Sequence, residues 1–98
     1  MPSYPDVQLF IDGVWKDGTG GWIPVLDPAT AEQVGRVAWA KQPDLDAALA
    51  AAERGFAVWR DTGVFDRYKI IRKAADILRS RADDIAWLIT RENGKPLA

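Results

Sequence analysis

Val7-Gln8-Leu9-Phe10-Ile11-Asp12-Gly13-Val14-Trp15-Lys16 is the stretch whose reading decides the fold. Two β-prone runs flank Asp12-Gly13, a dipeptide that readily supplies the two positive φ angles of a type I′ turn. The spacing therefore predicts a β-hairpin. Asp17-Gly18-Thr19-Gly20-Gly21 follows as a loop with almost no packing side chains. Residues 22–26 resume as a strand, which Pro24 confines to an edge or an irregular stretch because it has no N–H for a second neighbour. Asp27-Pro28-Ala29-Thr30 is turn chemistry: the Asp side chain bonds nearby backbone and Pro presets φ. Gln33 to Ala40 reads as one more short strand, carrying Val34, Val37 and Trp39.

After residue 40 the apolar period changes from two to between three and four. Pro43 suits the first turn of a helix, and Asp44 and Asp46 suit its positive end. Leu45, Ala48, Leu49, Ala52, Phe56 and Trp59 make one apolar stripe. Burial of its large members would contribute roughly 1.5–3 kcal/mol each, so packing outweighs propensity in fixing this helix. Gly55 inside the stripe costs about 1 kcal/mol against Ala, which leads us to expect another backbone close by. A break at Asp61-Thr62-Gly63 precedes a second helix with Tyr68, Ile71, Ala75 and Leu78 as its seam, widened by Ile70, Ala74 and Ile77. Ser80-Arg81-Ala82-Asp83 resembles a capping box with Asp in the Glu position. It predicts a kink near residue 80 and a short third helix with Ile85, Leu88 and Ile89 inward. Gly94 then stands as a left-handed C′ residue, and Pro96 cannot continue a helix.

The 98 residues allow one domain at most, burying well under ~70% of the unfolded chain's surface. Apolar content of 48% excludes a disordered tail, and five tryptophans imply packing that a short chain struggles to complete alone. There is no Cys and no His. Thiol nucleophiles, imidazole bases, disulfides and Cys/His zinc sites are thereby excluded from these residues. A net charge of −1 argues against a nucleic-acid or anionic-membrane surface. No window approaches the ~20 apolar residues of a transmembrane helix. Residues 1–6 lack the basic and apolar regions of a secretory signal, so a cytoplasmic protein is the expectation.

The motifs that could carry chemistry read as structure. Gly18-Thr19-Gly20-Gly21 lacks phosphate-loop spacing and precedes a strand, so no helix N-terminus would face an anion. Lys95 lacks the upstream glycine of a P-loop. Arg67, Lys69, Arg72, Lys73, Arg79 and Arg81 alternate with Asp66, Asp76, Asp83 and Asp84 opposite the apolar seam, as on a solvated helix face. Asp83 and Asp84 point about 100° apart on a helix and cannot share a proton; they read as helix-start acids. Trp15 and Trp22 fit arm-like interface or core better than a ligand site.

Read in order, several phrases resemble the N-terminal segment of the aldehyde dehydrogenase superfamily. They are Phe10-Ile11-Asp12-Gly13-Val14-Trp15, Val25-Leu26-Asp27-Pro28-Ala29-Thr30, Asp44-Leu45-Asp46-Ala47-Ala48, Ala51-Ala52-Glu53-Arg54-Gly55-Phe56 with Trp59, Asp66-Arg67, and Glu92-Asn93-Gly94-Lys95-Pro96-Leu97. The wording around Ala82-Asp83-Asp84 and the last phrase resembles the succinate-semialdehyde and related semialdehyde branch. Gly63, where the family tends to have a Ser or Thr cap, and the basic stretch Lys69 to Arg72 depart from the pattern.

The resemblance implies an α/β fold of which this chain is the N-terminal piece, with a β-hairpin and short strands over residues 1–40 and two or three α-helices over 41–98. It implies a homo-oligomeric enzyme that oxidises an aldehyde to an acid with NAD or NADP, through a thiohemiacetal on a catalytic Cys. The cofactor site, the oxyanion Asn, the general-base Glu and that Cys do not map onto residues 1–98. The expectation is therefore no catalytic, cofactor-binding or metal residue here, an inactive fragment that binds no cofactor alone, and chemistry lying beyond residue 98. Some members bind a monovalent cation near the position of Asp27-Pro28, with ligands from later sequence, and no such site is expected of this chain alone. The alternative is a non-catalytic module that docks on a full-length dehydrogenase through its hairpin and helix stripes.

Overall fold

The computed structural model describes residues 3–97. Its order is β1 (Leu9–Ile11), β2 (Val14–Lys16), β3 (Trp22–Leu26), β4 (Gln33–Ala38), α1 (Gln42–Asp61), α2 (Val64–Ser80) and α3 (Ala82–Asn93). β1 and β2 pair antiparallel with Ile11 opposite Val14, and Asp12 and Gly13 take φ of 54° and 76° between them. This is the type I′ geometry that the dipeptide predicts. β3 and β4 form a second antiparallel pair, Trp22 opposite Ala38 and Pro24 opposite Arg36. Val7 bridges the far side of β4 at Val37, so β3 is the outer strand and Pro24 sits where no N–H is needed. The register slips between Val25 and Leu26, because Val34 is an extra residue on β4. β4 stops at Ala38, short of the expected Ala40; beyond it the Trp39 N–H still bonds the Gly21 carbonyl, but the Trp39 carbonyl accepts the Gly20 N–H, which breaks the regular register.

The three helices start and stop largely where the punctuation says. Pro43 lies in the first turn of α1. α1 ends as the Thr62 hydroxyl and N–H bond back to Val58 and Trp59 carbonyls at 2.8 and 3.1 Å. α3 ends on Gly94 with φ 80°, its N–H on the Thr90 carbonyl. The kink near residue 80 is present, at Arg81. The capping box is not: Ser80 is the last residue of α2, and its hydroxyl donates backward to the Ile77 carbonyl at 2.7 Å. Ser80 thus closes one helix, and no side chain caps the next.

A buried core is nearly missing. Among the described residues Ala38 is the only buried apolar side chain, whereas Leu49, Phe56, Phe65, Ile71 and Leu78 stand well over half exposed. The radius of gyration is 16.8 Å, against about 13 Å for a compact domain of this length. The surface of 7562 Å² exceeds the roughly 5,600 Å² of a compact monomer of this mass. Gly55 fits this openness. A Cβ placed there would meet nothing within 4 Å, so the expected close backbone does not exist among the described residues. What faces Gly55 is a groove of about 360 Å³ between the hairpin turn and α1.

Candidate functional site

With so little core, two polar latches hold the strands to the helices. The first starts from Asp44, at the third position of α1, where a carboxylate reaches back over the helix start. Its Oδ2 accepts the Lys41 N–H at 3.0 Å, the Thr19 N–H at 2.8 Å and the Thr19 hydroxyl at 2.7 Å. Asp44 is 2% exposed. The Thr19 N–H, then the Lys41 N–H and the Thr19 hydroxyl, hold the carboxyl below the usual carboxylate range. Gly18 and Gly20 let the loop lie this close, because a Cβ on either would collide with Trp39. The loop, with almost no packing side chains of its own, is therefore clamped from both sides.

The second latch starts from the β3–β4 turn. Asp27 Oδ1 accepts the Ala29 N–H at 2.8 Å, the local bond expected of Asp in such a turn. Its Oδ2 accepts Arg91 Nη1 at 2.7 Å, across 64 residues of sequence. Asp27 is buried, and the Arg91 guanidinium lies 5.6 Å over the Trp87 ring. Pro28 packs against Gly94. From the N-terminal side, the Tyr4 hydroxyl donates to Glu92 Oε2 at 2.7 Å while its ring lies on Gly35. Burial, and next the hydrogen bond to Glu92, push the Tyr4 hydroxyl up to about 12. Sequence reading found neither long-range partner; Asp44 was legible only as a helix-start acid.

These groups suit structure better than chemistry. A dinucleotide needs free backbone N–H groups at a glycine loop or a helix start. In the glycine loop the Thr19 N–H and hydroxyl already face the Asp44 carboxylate, which repels phosphate. α1 opens on that same carboxylate, and α3 opens on Asp83 and Asp84. Neither the glycine loop nor the start of α1 or α3 therefore offers a cradle for the phosphates of a dinucleotide. The described residues also contain no group of three or more His, Cys, Asp or Glu placed to hold a metal ion, and no helix long and apolar enough to cross a membrane. Trp15 is exposed beside Phe10, their centroids 4.6 Å apart, and Trp22 is half-buried under the Arg36 guanidinium at 4.0 Å.

What remains is surface. Leu45, Leu49 and Phe56 on α1 and Tyr68, Ile71 and Leu78 on α2 keep more than half of their area open. Short strands latched to amphipathic helices with uncovered faces make an α/β arrangement whose core these residues do not complete. The chain belongs to the aldehyde dehydrogenase family, whose sequence pattern matches residues 15–98.

It is 39% identical over 97 residues to the mitochondrial methylmalonate-semialdehyde/malonate-semialdehyde dehydrogenase [acylating] of Rattus norvegicus, covering 98% of this chain and 18% of that protein. Among solved structures it is similar to PnpE from Pseudomonas sp. WBC-3 (TM-score 0.89, 34% identity, 95% of this chain and 19% of that one), also seen in complex with nicotinamide adenine dinucleotide. 3,6-Anhydro-L-galactose dehydrogenase in complex with NADP matches with TM-score 0.89 at 28% identity, over 95% of this chain and 20% of that one. The chain thus spans about one-fifth of the length of the relatives it matches.

Proposed function

We propose that these residues are the N-terminal scaffold of an NAD(P)-dependent enzyme that oxidises an aldehyde, of the semialdehyde class, to the acid level. One observation carries the reading: α1 and α2 present apolar faces with nothing over them, in a chain that matches a fold some five times longer. Exposed apolar area of that extent marks an interface. The semialdehyde class is supported by the name of the rat relative.

In this reading residues 1–98 do no bond-making. Acyl transfer on a thiol needs a thiolate, and the only sulfur here is the thioether of Met1. When bound elsewhere in such an enzyme, the nicotinamide accepts hydride. The part played by this chain is to fix the strand layer and hold out α1 and α2 as packing surfaces.

Reading the coding DNA past the Ala98 codon tests this. An in-frame continuation with a glycine-rich strand–loop–helix unit and a cysteine is the expected result. Unrelated sequence there, together with co-purification of the chain with a full-length dehydrogenase, would favour the docking module instead.

A further inference from the structure

The latches are unevenly placed, and that has a consequence for α2. α1 is fixed at its start by Asp44 to Thr19, and farther along only an exposed pair, Arg54 Nη2 to Asp12 Oδ2 at 3.1 Å, reaches the hairpin. α3 is fixed at its end by Arg91, Glu92 and Gly94. Among the described residues no hydrogen bond or ion pair joins an α2 side chain to another element. Its ion pairs, Arg72 to Asp76 at 3.5 Å and Arg79 to Asp76 at 3.3 Å, stay within the helix. None of its seventeen residues is buried; Arg67 and Ala75 are of intermediate exposure, and Ile77 is 39% exposed. Gly63 gives it no side-chain cap.

We propose that α2 is an arm between two helices that are latched only at their far ends, helical only when the body of the dehydrogenase covers its Tyr68, Ile71, Ala75 and Leu78 seam. At seventeen residues α2 is little longer than the ~12–15 residues below which isolated helices are marginal in water, and most helical stability in proteins comes from packing of the apolar face. β-branched Val64, Ile70, Ile71 and Ile77 lower its propensity further. Its seam is uncovered within this chain, with Ile71 61% and Leu78 59% exposed. By contrast, the start of α1 and the end of α3 are held by bonds that the chain makes with itself. The fold then has a self-supporting frame, formed by the strand layer, the start of α1 and the end of α3. The frame carries one conditional element, which orders as it docks.

The identity of what covers α2 rests on the dehydrogenase reading; the order of stability within this chain does not. Hydrogen exchange followed by mass spectrometry on the 98-residue chain at neutral pH separates the two. Peptides from α2 are expected to exchange roughly tenfold or more faster than those from β3, β4 and the last turn of α3. Equal protection in α2 and β3–β4 would overturn the arm, and an absence of protection everywhere would overturn the latched frame.

A second arm places residues 3–97 in the Pseudomonas PnpE in place of its matching segment. Protection of α2 should rise there to the level of the strands. If the ranking holds in the free chain but α2 stays unprotected in the soluble hybrid, the proposed occupant is wrong and the arm stands.

Discussion

Removing the Asp27 carboxylate should loosen the end of α3 from the strand layer, and the size of the loss can be worked from the contacts. Asp27→Ala deletes a charge-assisted bond to Arg91 and a turn bond to the Ala29 N–H. The first kind contributes about 1.5–3 kcal/mol and the second about 1 kcal/mol. The Arg91 side chain is 35% exposed, so water screens the pair and the lower end applies. The expected total is about 2.5 kcal/mol, a large part of the stability of a small frame. Asp27→Asn keeps an acceptor for Ala29 and loses only the charge, so about half of that effect should remain.

A double-mutant cycle with Arg91→Ala isolates the pair, with a coupling of about 1–1.5 kcal/mol. Urea unfolding followed by tryptophan emission suits the measurement, because Trp87 lies under Arg91. A coupling below about 0.5 kcal/mol, the level of an exposed surface pair, would refute the latch.

Four further outcomes follow from the same structure. Gly55→Ala should stabilise α1 by about 0.5–1 kcal/mol in a thermal melt followed by circular dichroism, because open space receives the methyl group, whereas Gly18→Ala should destabilise by forcing the loop off Trp39. Asp44 has a depressed carboxyl in the folded state, so its contribution is present above the ordinary Asp value of 3.8 and is lost as pH falls through the lower folded value; Asp44→Asn should flatten that acid limb of a stability–pH profile. Tyr4 is raised from 10.0 to about 12, so its contribution is complete below pH 10 and lost as pH rises toward 12, and Tyr4→Phe should remove that alkaline limb. Titrating NAD or NADP while watching the five tryptophans should give no saturable change, because the glycine loop and the starts of α1 and α3 face carboxylates; saturation at micromolar cofactor would contradict the site reading.

Much of the local structure was legible because its causes are local. Asp12-Gly13 dictates its own turn, Pro24 its own edge position and Gly94 its own helix end, and each cause lies within a few residues of its effect. The latches were illegible for the opposite reason: Thr19 and Asp44 are 25 residues apart, and Asp27 and Arg91 are 64. No periodicity reports such pairs. Gly55 misled because a helical glycine has two common explanations, close approach and tolerated cost, and here the space beside it is open. Ser80 misled because a hydroxyl at a helix junction can bond forward to the next helix or backward to its own, and it bonds backward. The apolar stripes were correctly placed on their helices, but their exposure reflects how little of this chain lies over them.

Differential scanning calorimetry of the 98-residue chain tests the central claim most directly, because unfolding enthalpy scales with the structure that a chain completes by itself. A finished domain of this size absorbs about 60–80 kcal/mol at its midpoint. A scaffold with uncovered helix faces should show a broad transition well below that figure, shifting with protein concentration as the faces associate. A sharp two-state transition of a monodisperse monomer, with the full enthalpy and a midpoint near the ordinary mesophile value of about 60 °C, would contradict the account.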